Sequence, residues 1–368
     1  MPRPFSARSR IHEYGGGEFF VAGDRVYFVN DDDQQVYEMR AGVAPRRVTD
    51  QPGMRFGDFA LDARRQRLIA VGEQHHPERQ HPENMLVAIS LDAASWGRMQ
   101  RLLRGQDFYA SPRLSPDGAQ LAYVSWSLPD MPWDESVLAI AEIGADGNAG
   151  RSRRIAGGKG TAASEPVWLP NGHLVFLWDR SGFDNLCLHE PGKRVRTLYV
   201  RSADFGRPLW SLGNKSFAVH ANGQIGASYL ERGEARFGLV DAASGELTPL
   251  ALPLRSIEQV VAHGDGFMAL ATRFAMKKLF NVAPGAFRPP PKVESAVVRL
   301  VPLAEAPDCD QALFEKIVRE AFSARRKTLR NALPLEPGSY AALGIDPQLR
   351  PENLSPADYV RITKACAR

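Results

Sequence analysis

The stretch "SPRLSPDGAQLAYVSW", Ser111–Trp126, decides how most of the chain is read. Pro116-Asp117-Gly118 splits it into two strand-like pieces. A proline followed by Asp-Gly fixes one φ and supplies the positive φ that a tight hairpin turn requires. Three other stretches follow the same plan: "GDFALDARRQRLIAVG" from Gly57, "SEPVWLPNGHLVFLWD" from Ser164 and "GRPLWSLGNKSFAVHA" from Gly206. Aligned on Asp58, Pro112, Pro166 and Pro208, they step by 54, 54 and 42 residues. In the third and fourth stretches the turn falls at Pro170-Asn171-Gly172 and at Gly213-Asn214.

Further strands follow within each unit. "VLAIAEI" (Val137–Ile143), "NLCLHE" (Asn185–Glu190) and "RFGLVDAASGELTPL" (Arg236–Leu250) alternate or run apolar, the last around a turn at Ser244-Gly245. Repeats of about 40 to 50 residues, each of four short strands, predict β-propeller blades. The spacing places blades at about 17–50, 56–105, 107–157, 161–201 and 204–252, with a sixth opening at "SIEQVVAHGDGFMALAT". A blade cannot bury both faces by itself, so each one predicts a neighbour.

Three strings carry a resemblance: "RIHEYGGGEFFVAGDRVYFVN", "QDFYASPRLSPDGAQLAYVSWSLPDMPWDESVLAIAEI" and "DFGRPLWSLG". Across about residues 9–272 the chain resembles the propeller of the prolyl oligopeptidase family of serine peptidases, in its acylaminoacyl- or dipeptidyl-peptidase-like branch. That resemblance implies a seven-bladed propeller capping a hydrolase with a Ser-Asp-His triad. This sequence holds no Gly-x-Ser-x-Gly elbow, and its last histidine is His263. The expectation is therefore an incomplete propeller of five to six blades without the hydrolase, able to take peptides or a hydrolase subunit as partners.

After Thr272 the pattern changes. "RFAMKKLFNV" leads into "APGAFRPPPKVESAVVRLVPL", which predicts strands at Leu279–Val282 and Glu294–Val301 around a loop stiffened by Pro289-Pro290-Pro291. "DQALFEKIVREAF" (Asp310–Phe322) spaces Leu313, Phe314, Ile317, Val318 and Phe322 helically. "SARRKTLRNAL" continues or restarts that helix, and "GSYAALGIDP" is a short one ended by Gly344. In "LSPADYVRITKACA" Ser355 is an N-cap with Pro356 at N1 and Asp358 at N3. The fold class is thus mainly β with an α C-terminal domain: a propeller to residue 272, a linker and β-hairpin over 273–302, and a helical domain over 303–368.

The order FxPxPKVxSAVVRL, AFxxRRKTLRN, LGIDPxxRPENLS resembles the C-terminal part of the small-subunit rRNA adenine dimethyltransferase family, over about residues 277–366. The resemblance implies that Phe287 comes from the lining of the target-adenine pocket, with Arg288 and Lys292 beside it. It also implies that Arg325, Arg326, Lys327 and Arg330 form the RNA-gripping helix. An aromatic face can stack a flipped base, and clustered guanidinium groups bind phosphates. A second reading stands beside each: Phe287 as a plug of its own domain's core, and the cations as partners of Glu315 and Glu320 on a solvated face. The family's cofactor is S-adenosylmethionine, but its glycine-rich loop, acidic ribose residue and Asn-Leu-Pro-Tyr-like motif do not occur here. The expectation is no cofactor, no catalytic residue and rRNA as a partner.

Charge agrees with that division. Residues 273–368 carry a net +6 and the rest a net −2, so the polyanion candidate is the tail. Three scattered cysteines argue against a disulfide framework or zinc site and fit a reducing cytoplasm. No apolar run reaches the roughly 20 residues of a membrane span, and "MPRPFSARSR" lacks the apolar core of a secretory signal. "EQHHPERQHPEN" gathers His75, His76, Glu78, His81 and Glu83, but two prolines favour an exposed loop over a metal site. "NDDDQQ" (Asn30–Gln35) reads as a hairpin turn. Gly15-Gly16-Gly17 and Gly157–Gly160 read as turn glycines, and the six tryptophans as blade packing.

Overall fold

The computed structural model describes residues 4–250, 252, 257–264, 266–271, 274–282, 295–302, 309–323, 328–333, 335 and 338–367. The chain divides into two compact units, Met1–Thr272 and Arg273–Arg368.

Unit 1 is built of antiparallel sheets whose strands follow chain order. The first sheet joins β1 (Phe19–Ala22), β2 (Arg25–Val29), β3 (Val36–Arg40) and β4 (Val43–Arg47). The second joins β5 (Met54–Asp62), β6 (Arg67–Gln74), β7 (Glu83–Ser90) and β8 (Met99–Arg104). The third joins β9 (Phe108–Leu114), β10 (Gln120–Trp126), β11 (Val137–Ile143) and β12 (Ala149–Gly157). The fourth joins β13 (Ala163–Trp168), β14 (Leu174–Trp178), β15 (Asn185–His189) and β16 (Arg196–Thr197). The fifth joins β17 (Phe217–Val219), β18 (Ile225–Glu231), β19 (Glu234–Val240) and β20 (Leu247–Leu250). A two-stranded sheet of β21 (Ile257–His263) and β22 (Gly266–Ala271) follows. The first strands β1, β5, β9, β13, β17 and β21 touch in that order, so the arrangement is propeller-like.

The period-2 rule explains how the sheets hold together. In β6, Leu68 and Ala70 pack with Tyr27, Val29 and Val36 of the first sheet, while Ile69 and Val71 pack toward the third. In β14, Leu174 and Phe176 face the third sheet and Val175 and Leu177 the fifth. Middle strands are therefore apolar on both faces, whereas β4 is exposed nearly throughout. Each buried Leu, Val or Phe side chain contributes about 1.5–3 kcal/mol.

One expected alignment is wrong. The repeat, aligned on Pro208, puts the hairpin turn of the fifth unit at Gly213-Asn214. The segment Gly206–Asn214 contains no strand; the strand after it, β17, is the first of its sheet, and the hairpin turn is at Asn222-Gly223. Pro208, Trp210 and the glycine mimic the repeat, but Leu212 instead bridges to Gly16 in the N-terminal segment.

In unit 2, β23 (Phe274–Val282) pairs with β24 (Ser295–Pro302) across a register shift between Lys278 and Phe280. β23 begins five residues earlier than the sequence pattern implies, and β24 is the expected length shifted by one residue. The helices are α1 (Gln311–Ser323), α2 (Leu329–Ala332), α3 (Ser339–Leu343) and α4 (Pro356–Cys366). Ile317, Ala321, Leu329, Leu333, Ile345, Tyr359 and Ile362 form their core. Gly344 ends α3 at φ 64°, a left-handed cap that costs glycine nothing. Ser355 Oγ accepts from the Asp358 N–H, and Asp358 Oδ2 accepts from the Ser355 N–H, closing a reciprocal cap on α4.

Candidate functional site

Of the cations and aromatic expected to meet RNA, Phe287, Arg288, Lys292, Arg325, Arg326 and Lys327 lie outside the described residues. Arg330 is exposed on α2. Its helix is held in place from both ends. The Leu329 N–H donates to Leu349 O at 2.7 Å, and the Arg330 N–H to Pro347 O at 3.0 Å. Tyr340 Oη donates to Leu333 O at 2.5 Å and also reaches Leu329 O at 2.9 Å. Lys316, Arg350, Arg361 and Lys364 are exposed as well. Arg361 reaches Leu343 O and pairs with Asp358, whose carboxyl is held down to about 2 chiefly by that guanidinium and then by Ser355.

Unit 1 offers a second constellation, where its first strands meet. Asp58, Ser111, Glu165 and Gln259 adopt left-handed backbone at φ 47–52°, each beside a register shift in its strand. Such bulges re-aim side chains. The Asp58 carboxylate accepts from the Ser111 N–H at 2.7 Å and from Arg113 Nη1 at 2.9 Å, tying the second sheet to the third. Glu165 Oε2 and Oε1 accept from the Ser216 N–H and Oγ at 2.6 and 2.8 Å, tying the fourth to the fifth. Burial pushes the Glu165 carboxyl up, and the Lys215 ammonium is pushed down by its surroundings and by Arg113, although its side chain reaches solvent. Sequence reading missed these clasps. Their signal is an acid or serine ahead of each first strand's second half, in "GDF", "ASP" and "SEP".

The N-terminal segment lies against the same region. Gly15, Gly16 and Gly17 all have positive φ, and added Cβ atoms there would fall 2.3 Å from Ser9 O, 2.3 Å from Leu212 O and 2.6 Å from Asp58 N. These glycines are spent on backbone packing. In the 157–160 run the Gly160 N–H donates to Glu135 Oε2 at 2.6 Å, and a Cβ on Gly157 would strike Ser136 O. Both runs serve turns and close backbone packing. Next to the first run, Tyr14 and Trp210, 65% and 53% exposed, meet at 5.6 Å, and Trp133 lies 4.4 Å from Trp210. So not every tryptophan packs blades.

The histidine-rich loop does not gather its own residues into a site. The structure instead brings Glu13, Glu73 and His75 together, with ligand atoms within 4.8 Å. Arg55 Nη1 already lies 2.7 Å from Glu13 and 3.4 Å from Glu73, and His75 Nε2 is 2.5 Å from Glu73, so the carboxylates are engaged. His12 donates its backbone N–H to Glu73 and packs on Phe108 and Trp126; burial lowers its pKa.

Two different sets of relatives match the two parts of the chain. Residues 266–368 match the family described as ribosomal RNA adenine dimethylase. The ribosomal RNA small subunit methyltransferase A of Thiobacillus denitrificans is 51% identical over 117 residues, 29% of this chain and 46% of that protein. Unit 1 is similar to a Mycobacterium tuberculosis puromycin-hydrolyzing peptidase (TM-score 0.68, 30% identity), covering 74% of this chain and 44% of that one. A puromycin hydrolase structure gives a TM-score of 0.70 at 27% identity, covering 85% and 49%. The chain therefore spans less than half the length of each of these relatives. The resemblances to rRNA adenine dimethyltransferases at the C-terminal end and to a prolyl oligopeptidase-family peptidase before it both stand. The dimethylase match begins at Gly266, inside the sheet that β22 forms with β21.

Proposed function

We propose that this chain is a non-catalytic RNA-binding protein, a fusion in which the C-terminal part of an rRNA adenine dimethyltransferase follows an incomplete peptidase-type propeller of five to six blades. The observation that carries the reading is the 51% identity across the tail, joined to a helical core that leaves Arg330 exposed. Sequence kept at that level supports retention of the family's cationic segment, and clustered cations bind phosphate with salt-dependent affinity. In this reading residues 303–368 and the hairpin before them are the RNA-binding domain, with Arg325, Arg326, Lys327 and Arg330 as its grip and Phe287, Arg288 and Lys292 as the base-proximal loop. S-adenosylmethionine is not part of this proposal, and neither parent reaction is assigned. An rRNA partner would place the protein in the cytoplasm.

The test compares a labelled small-subunit rRNA hairpin with an unrelated hairpin of equal length, using the full chain and the Arg325→Ala/Arg326→Ala/Lys327→Ala variant. Preference for the rRNA hairpin, lost in the variant, is expected. Equal binding of both hairpins by both proteins would remove the rRNA reading.

One observation favours a second reading. Exposed Tyr14 and Trp210, with half-buried Trp133 beside them, support unit 1 as an interaction module for peptides or a hydrolase subunit. Binding of such a partner would survive the triple substitution in the tail and weaken in Trp210→Ala.

A further inference from the structure

A groove of about 540 Å³ lies between the second and third sheets of unit 1, far in sequence from the tail. Arg65 and Arg67 come from the turn and strand that follow β5, Arg98 and Gln100 from the start of β8, and Asp146 and Gly147 from the turn before β12. Arg67 is 6% exposed, yet its Nη2 has no hydrogen-bond partner among the described residues. Its Nε donates to Asp62 Oδ2 at 2.9 Å and its Nη1 to Gln100 Oε1 at 3.3 Å. A buried donor left unmatched is destabilising, more so when charged, so an acceptor at this position is stabilising.

The surroundings select a charged acceptor. Arg65 shares Asp62 with Arg67, so one buried carboxylate serves two guanidinium groups. Arg98 is exposed at the rim. Asp146, the other acid, is turned into its own loop, where it accepts from the Asn148 N–H and Nδ2 at 2.9 and 2.6 Å. Three arginines against two acids leave the groove net positive. Gly147 sits at φ 80°, and a Cβ there would come 3.0 Å from Arg67 Nη1, so the glycine leaves the guanidinium uncovered on that side. Gln100 covers Arg67 Nη1 with its Oε1, and its Nε2 donates to Asn148 Oδ1 at 2.5 Å.

We propose that this groove binds a phosphate group, with Arg67 as the buried anchor and Arg65 and Arg98 as further donors. Guanidinium forks match tetrahedral oxyanions bidentately, which a lysine or a water does not reproduce. The ligand is inorganic phosphate or a small phosphate monoester. The proposal is independent of the RNA reading of the tail.

The test is thermal unfolding of the full chain with 10 mM inorganic phosphate against sodium chloride of equal ionic strength. Phosphate is expected to raise the unit 1 transition by about 3 °C, as a ligand of millimolar Kd does. Gln100→Glu places a carboxylate on Arg67; it is expected to fold, to match or exceed the wild-type Tm without phosphate, and to lose the phosphate response. Arg98→Ala is expected to weaken the response severalfold. The tail variant Arg325→Ala/Arg326→Ala/Lys327→Ala is expected to respond like wild type. No response in wild type, a full response in Gln100→Glu, or a response lost with the tail cations each overturns the proposal. Competition by phenyl phosphate assigns the ligand to monoesters, and failure to compete assigns it to inorganic phosphate.

Discussion

Asp184 shows how a single group sets the pH response of unit 1. Burial, and then the nearby charges of Asp179, Asp204 and Glu165, push its carboxyl up to about 7. In the unfolded chain an aspartate titrates near 4. Between those values the folded state holds the proton and the unfolded state does not, so stability falls as pH rises from about 4 to 7 and the contribution is gone above 7. Burial raises Glu165 in the same direction, with the same sign. Asp184→Asn should therefore gain on wild type as pH rises, by on the order of 2 kcal/mol at pH 8 after discounting for partial exposure, and by nothing at pH 4. Urea titrations at the two pH values read the difference; an equal gap at both would contradict the assignment. Asp358 has the opposite sign. Its carboxyl is held near 2, so its contribution to unit 2 is present above pH 4 and is lost below it.

At the scale of elements, the bulged first strands and the capped last helix carry the argument. Asp58→Ala strips the partner from the Ser111 N–H and from Arg113, and should cost unit 1 about 3 kcal/mol by chemical denaturation. Asp58→Asn, which tolerates left-handed backbone and keeps one acceptor, should cost less. Ser355→Ala should cost unit 2 about 1 kcal/mol by removing one half of a reciprocal cap. That cap was legible in the sequence because Ser-Pro-x-Asp ahead of an apolar run is a local code. So were the turn at Gly118 and β11, which spans Val137–Ile143 as the alternation implies. The fifth sheet was not. Its first strand has three residues and no alternation to read, so a proline and a glycine nearby drew the repeat to the wrong place. The clasps of Asp58 and Glu165 were hidden for another reason. They pair residues 51 to 55 positions apart, and only tertiary structure brings those together.

Taken whole, the molecule joins two units whose relatives differ. Five consecutive four-stranded sheets bury apolar side chains between them on alternating faces, and a separate set of helices closes on Ile317, Leu329 and Ile362. Both resemblances were legible because each rests on several motifs in a fixed order. The aromatic cluster of Tyr14, Trp133 and Trp210 and the groove at Arg67 were not, because each draws residues from distant loops. The proposal that RNA binding belongs to the tail assigns the affinity to a few cations on and before α2. The measurement that tests it most directly is fluorescence anisotropy of a small-subunit rRNA hairpin with the full chain at 50 and 200 mM salt. Three to four phosphate contacts predict an affinity loss of roughly 50-fold between the two, and a much shallower slope in Arg325→Ala/Arg326→Ala/Lys327→Ala. Binding that ignores salt, or a slope unchanged by the triple substitution, would contradict the account.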